Sequence, residues 1–368
     1  MNKDRQTLEP GGARIPIVGQ RPRLLIRTQA HVRSLQRWFV LGVLATGSAA
    51  LGQSTSDSEW NHFGLDFRVG LNFKTKFNNI GTYAAAVPSP AAGTDHTYAD
   101  GFVRVDSSGD RGGLTWNWGY QNASQISGQD TLLLHAASTE GANSTGKDDP
   151  RLGFEANYAR DLAHFGSGRW GLKLALGYTD VQVRDSQAMI GNVNLVTDAY
   201  ALGGVTPPVA PYAGSFSGPG PVIGDTPTRT ISTVPGGAVI TGSRQLDVWL
   251  YDLRFGPYLE VPIVEALTFQ VGGGVAAGLV DSTFSFSDMT AMTSAGSVRS
   301  TGSGQKTGSL LGFYGEAGMA YQLLPRASIF AGGQFQYLGE FNQSVDGRAA
   351  QLDLRRSIYL VVGVQWHF

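Results

Sequence analysis

The chain has 368 residues, of which 15% are charged against the roughly 25% usual for soluble domains, and its 50 glycines are about twice the ordinary share. Cysteine is absent, which excludes a disulfide framework, a thiolate metal site and a lipid-modified amino-terminal cysteine. No run of about 18 strongly apolar residues occurs outside the first sixth, so membrane crossing there would have to use strands.

The net charge of -1 hides an asymmetry at the amino terminus. Residues 1–52 hold eight basic side chains against Asp4 and Glu9, leaving 20 basic and 27 acidic residues after position 52. The remainder is acidic, with no basic patch interleaved with aromatics, which argues against nucleic acid as a partner. Arg33 and Arg37 precede the apolar run Trp38 to Ala45 and a small-residue stretch, the three-part layout of a secretory signal peptide. Cleavage is expected after Gly52, with Ala50 and Gly52 as the small residues, and residues 53–62 are expected to be a short segment ahead of the folded part. The basic leader is unusually long, which points to an over-extended start.

From Phe63 to Lys74 every odd position is apolar and every even one is glycine, polar or charged, the period of a strand with one apolar face. The pattern recurs at 97–106, 113–122, 151–162, 170–184, 244–261, 267–286, 309–323, 327–341 and 351–368, giving about ten strands, with eight or twelve as alternatives. Asp130 to Thr139 also has strand character and reads as an extension of its neighbours. Connections alternate in length. Residues 107–112, 163–169, 262–266 and 324–326 are short, whereas 75–96, 123–150, 185–243 and 287–308 are long, and 342–350 is polar. The longest, 185–243, carries six prolines between 207 and 227 and reads as an ordered cap.

The final stretch, Arg356 to Phe368, places Ile358, Leu360, Val362, Val364, Trp366 and Phe368 on one face and ends on an aromatic. It resembles the carboxy-terminal closing strand of bacterial outer-membrane β-barrels. In that family the strand ends in Phe, so Val364, Trp366 and Phe368 take the part of the barrel-closing assembly signal. The resemblance implies an all-β fold over 63–368, a transmembrane antiparallel up-and-down barrel with short periplasmic turns, long extracellular loops and an even strand number. Outer-membrane lipid and the barrel-assembly machinery are then the implied partners, and the outer membrane the location. Closure requires the last strand to pair with Phe63 to Lys74.

On this reading the charged faces point inward, and Asp66, Arg68, Arg104, Glu155, Lys173, Asp252, Arg254, Glu316, Arg355 and His367 are the candidate lumen-lining residues. Both signs are interspersed, as internal ion pairing requires. Trp116, Trp118, Tyr120, Trp170, Tyr178, Trp249, Tyr251, Tyr321, Tyr337 and Trp366 are expected on outward faces as interfacial girdles. Nothing marks a cofactor or metal site. Gly272-Gly273-Gly274 lies inside a strand, and neither a phosphate-loop motif nor H-E-x-x-H occurs. No D-x-D or D-x-H occurs that would match the paired acids of omptin proteases, and His135 with Ser138, or His367 with an inward serine, is the best available nucleophile pair. The expected function is non-enzymatic: an envelope structural protein or a narrow porin-like passage for small polar solutes. The alternative is a scaffold whose extracellular loops recognise a ligand or adhere, and an outer-membrane enzyme comes third.

Overall fold

The computed structural model describes residues 60–146, 150–293 and 295–368. The expected signal segment 1–52, and residues 53–59 of the segment after it, lie outside the described residues.

Eight strands carry the fold: β1 (Asn61–Leu71), β2 (Arg151–Phe165), β3 (Gly168–Asp185), β4 (Thr228–Val264), β5 (Leu267–Met292), β6 (Gly296–Leu324), β7 (Ala327–Tyr337) and β8 (Ser357–His367). Each pairs antiparallel with the next in chain order. β8 returns to β1 from His62↔His367 to Leu71↔Ile358, and β1 also pairs with β2, so the pairings close a ring through eight strands. A closed ring leaves no unpaired edge among its members. The period-two sequence fixes which face is which. On β1, Leu65 and Phe67 are exposed while Asp66 and Arg68 are buried, and on β8 Ile358, Leu360 and Val362 are exposed while Ser357, Tyr359 and Val361 are buried. The apolar face therefore points out of the ring and the polar face in.

The expectation of about ten strands counted 97–106 and 113–122, and neither enters the ring. They contribute short pieces, Thr97 with His96, Gly101–Val103, Leu114–Thr115 and Trp118–Tyr120, to small sheets above it. Alternation cannot separate a lipid-facing strand from one that faces a small core, because both need an apolar residue at every second position. Between them, Gly109, Asp110, Gly112 and Gly113 take positive φ, which breaks the run into turns. The two lost strands are consecutive, so the direction of every other strand is unchanged.

Three two-residue turns, 166–167, 265–266 and 325–326, lie at one end of the ring. The described chain ends meet there too, with the Asn61 N–H donating to the Phe368 carbonyl at 3.1 Å and the Phe368 N–H returning to the Asn61 carbonyl at 2.9 Å. All the large insertions are at the other end. β4, β5 and β6, of 37, 26 and 29 residues, run well beyond the ring. Met189–Ala201 pairs with the first part of β4, so much of 185–243 is a hairpin and only its middle is an irregular loop. Thr131–Thr139 continues that wall by pairing with Met189–Ala201.

A second, four-stranded sheet of Ala142–Gly146, Lys74–Ile80, Arg348–Asp353 and Glu340–Val345 stands at the long-loop end. Its last hairpin, expected to be a polar loop, turns at Asp346-Gly347, both with positive φ as a two-residue hairpin demands. It gives Phe77, Ile80, Phe341, Ala350 and Leu352 to an apolar core shared with Val181, Leu246, Val248, Val280 and Phe284 of the tall wall.

Candidate functional site

The ring interior holds an ion-pair network that crosses it. Arg68 on β1 donates through Nη1 to Asp252 Oδ1 on β4 at 3.1 Å, and pairs with it again through Nη2. These strands are not neighbours, so the contact runs through the middle of the ring. Arg254 on β4 pairs with Glu155 on β2, with Asp252 at 3.1 Å and with Glu316 on β6 at 3.3 Å. Lys173 on β3 reaches Glu316 at 2.7 Å, and the Asn157 amide donates to Asp66 at 2.6 Å. Ring faces complete the packing, with Arg68 at 4.3 Å over Tyr359 and Arg254 at 5.1 Å over Tyr314. The amide of Gln334, oriented to satisfy both groups, accepts from Arg254 Nε at 3.0 Å. Charges removed from water hold their ionised form only when paired and hydrogen-bonded, which is what both arginines achieve here.

Two further tiers lie on either side. Toward the short turns, Tyr258 donates to Asp161, His62 contacts Asp161 at 3.1 Å, and Arg169 pairs with Asp161 at 3.4 Å and with Glu260. His367 meets the Ser328 hydroxyl at 3.1 Å and sets its ring edge-on against His62 at 4.6 Å. A cavity of about 20 Å³ between this tier and the network, bordered by His62, Lys173, Tyr258 and Glu316, has room for about one water. Toward the long loops, the interior is filled by Phe73, Phe77, Leu250, Phe284, Leu338 and Tyr359.

Of the residues expected to line a lumen, Asp66, Arg68, Glu155, Lys173, Asp252, Arg254 and Glu316 come together in the central network, and His367 sits in the tier below it. Arg104 and Arg355 do not join them. Arg104 lies with 97–106 above the ring, donating to Thr97 Oγ1 at 3.1 Å and covering Phe102. Arg355 sits in the turn before β8 and pairs at the surface with Glu340 and Asp353. Both were placed by a period that continues into segments where the ring does not. The interior glutamines Gln270 and Gln365, which bond each other at 3.0 Å, were missed because an amide carries no charge signal, although their alternation with apolar residues marks them as inward.

The long-loop end forms a cap with its own core. Trp118 and Tyr120, expected as outward girdle residues, are buried in it and stack against each other at 5.9 Å, with Tyr212 against Trp118 at 4.7 Å. The proline-rich segment is held by these rings: Trp118 Nε1 donates to the Pro221 carbonyl at 2.8 Å, Trp116 Nε1 to Phe216 at 3.2 Å, and the Tyr120 hydroxyl to Pro208. Around it, Tyr98 donates to Asp198 and shares a 2.8 Å contact with the Tyr200 hydroxyl, while Arg229 braces Asp198 at 2.7 Å. Asp106 fixes the neighbouring turn. Burial opposes its charge, but bonds from the Ser108 hydroxyl and the Trp116 and Ser108 N–H groups outweigh that and hold its carboxyl below the ordinary 3.8. Val209, Phe216 and Val222 of the proline-rich segment remain exposed.

No protein-family model matches the chain, and no curated protein matches it. Among solved structures the chain is similar to Ail, the attachment invasion locus protein of Yersinia pestis, at 10% identity over 83% of this chain and 99% of that one, with a TM-score of 0.26. It is also similar to the outer membrane protease OmpT from Escherichia coli, at 11% identity over 86% and 99%, with a TM-score of 0.30. The outer membrane protein OprG from Pseudomonas aeruginosa aligns at 13% identity over 85% and 99%, with a TM-score of 0.24.

Proposed function

We propose that the chain is an integral outer-membrane β-barrel of eight strands, carried to that membrane by a cleaved amino-terminal signal peptide, with its short turns periplasmic and its long loops outside. In this reading it is non-enzymatic and closed to solutes, and it serves as a platform that presents the folded cap for recognition. The observation that carries the proposal is the blocked interior beneath an ordered cap. A solute path would have to part the Arg68–Asp252 and Arg254–Glu155 pairs and then the apolar tier above them. Eight-stranded barrels are of the size that side chains fill.

The outer face supports the membrane assignment. From Phe368 to Ile358 the last strand covers about 33 Å at ~3.3 Å per residue. Tilted by about 40°, that is roughly 25 Å in height, the extent of the apolar band on outer-membrane barrels. Within it stand exposed Phe67, Phe154, Leu174, Phe255, Val275, Phe313, Ile329 and Leu360, one from each ring strand. Trp170, Tyr321 and Trp366 mark the short-turn rim, and Tyr178 and Tyr251, 5.3 Å apart, the opposite one with Trp249. Such a continuous apolar girdle on a water-soluble protein would be an aggregation site.

Because the chain has no cysteine, single cysteines report sidedness without background. Val209→Cys, at a cap position 91% exposed, should react with a membrane-impermeant maleimide on intact cells. Ser167→Cys, in a short turn, should react only after the outer membrane is permeabilised. The reverse pattern, or equal labelling of both in intact cells, would overturn the proposed orientation.

A further inference from the structure

An open groove of about 690 Å³ lies on the outside of the ring where β1, β7 and β8 end toward the long loops. Its apolar side is made by Phe335, Tyr337 and Ile358, and Phe335 and Ile358 are register partners at the upper limit of the outward apolar face. Its polar side is made by Lys74, Arg355 and Arg356 with Asp353 and Asn72. The three cations are not equivalent. Arg355 is neutralised locally, pairing with Glu340 at 2.7 Å and Asp353 at 2.8 Å. Arg356 has its backbone carbonyl held by the Asn72 amide at 2.7 Å, which fixes the turn, while its guanidinium forms no ion pair among the described residues. Lys74 stands across from Asp353 in the second sheet and is close enough to be felt by that carboxylate, yet it too forms no ion pair among the described residues. Three cations against Glu340 and Asp353 leave the groove with positive charge in excess.

We propose that this groove binds a phosphate-bearing lipid of the leaflet on the long-loop side, with the phosphate taken by Lys74 and Arg356 and an acyl chain lying along Phe335 and Ile358. Two facts on the same surface point to one amphipathic occupant. The apolar half continues the band that would meet hydrocarbon, and the cationic half begins where that band stops, at the depth of a headgroup. A soluble anion would use the cations and leave the apolar wall uncovered, whereas a neutral lipid would leave two unpaired cations beside hydrocarbon. Arg356 offers a planar fork for phosphate oxygens, and Lys74 offers a flexible point charge. The proposal rests on the reading that the ring spans a membrane.

The test uses the full chain, folded in dodecyl maltoside micelles and checked by its heat-modifiable gel mobility. Native mass spectrometry then measures binding of bis-phosphorylated lipid A, of the same lipid after dephosphorylation, and of inorganic phosphate. Lys74→Ala/Arg356→Ala should weaken bis-phosphorylated lipid about tenfold, as the loss of exposed charge-assisted contacts would. Arg160→Ala, which removes an exposed cation at the short-turn end of β2, should bind as the parent does. Dephosphorylated lipid should bind the parent as weakly as the phosphorylated lipid binds the double variant. Equal binding by parent and double variant overturns the proposal, as does equal binding of the two lipids. Displacement of the lipid by millimolar phosphate would mark the groove as a free-anion site and also overturn it. Binding in micelles does not depend on orientation in the cell, so the maleimide experiment can fail without this one failing; a chain that shows no heat-modifiable form would instead sink the barrel reading itself.

Discussion

Arg254 connects three carboxylates from three strands, so its removal leaves Glu155, Asp252 and Glu316 short of a partner in the ring interior. Replacing one member of a buried ion-pair network costs about 3–5 kcal/mol, because the stranded charges keep their desolvation penalty after losing the attraction that offset it. Arg254→Gln is therefore expected to lower the unfolding free energy of the protein folded in vesicles by an amount in that range, read from the shift of the urea midpoint followed by tryptophan fluorescence. An unchanged midpoint would mean that water, not Arg254, solvates those carboxylates, and the interior would then be wet. Most charged members of this network are legible from the sequence because they alternate with large apolar residues, Asp66 between Leu65 and Phe67 and Asp252 and Arg254 around Leu253, whereas Glu316 stands between Gly315 and Ala317. What the sequence does not contain is which of them meet. The Arg68–Asp252 pair joins residues far apart in the chain and depends on the ring closing at the observed register, a property of the whole ladder and not of either residue's neighbours.

At the scale of elements, β8 carries the closure. Its aromatic end is tied to Asn61 by two backbone hydrogen bonds, Phe63 and Trp366 stack at 6.3 Å across the seam, and the β1 pairing runs to Ile358. The Phe368 ring is itself on the outward face and partly exposed. Phe368→Asp should reduce the heat-modifiable fraction recovered in the outer membrane while leaving the exported amount unchanged, since a charge at this rim acts on insertion and not on export. Wild-type assembly of that variant would contradict the role assigned to the terminal strand. β8 was legible in sequence because it alternates over its whole length and leads to Trp366 and Phe368 on its apolar face. The segment 113–122 misled for a physical reason. Trp116, Trp118 and Tyr120 alternate as a lipid-facing strand does, yet Trp118 and Tyr120 are buried against the proline-rich segment, whose own pattern announces nothing about its partner. The Asp346-Gly347 hairpin, by contrast, was available as a turn signal between two alternating runs.

For the molecule as a whole, the same chain combines two cores of different kinds. Within the ring, charged side chains are buried in a network of mutual ion pairs, and above it the second sheet and the tall β4–β6 wall enclose an apolar core. The cap adds a third cluster around Trp118, Leu132, Leu134, Tyr200 and Ile223. Short turns at one end and large insertions at the other were readable from connection lengths alone, because sidedness needs only parity, and parity survived the loss of two expected strands. Whether the interior is open was not readable, since inward charges suit a channel as well as a plug until their partners are known. The proposed function requires the ring to be closed to solutes. Planar-bilayer recording of the folded full chain, at 1 M KCl so that even a narrow path would register, should show no discrete conductance steps. Stable, reproducible steps that shift when Arg68→Ala or Glu316→Ala widens the ring interior would contradict it and restore the reading of a passage for small polar solutes.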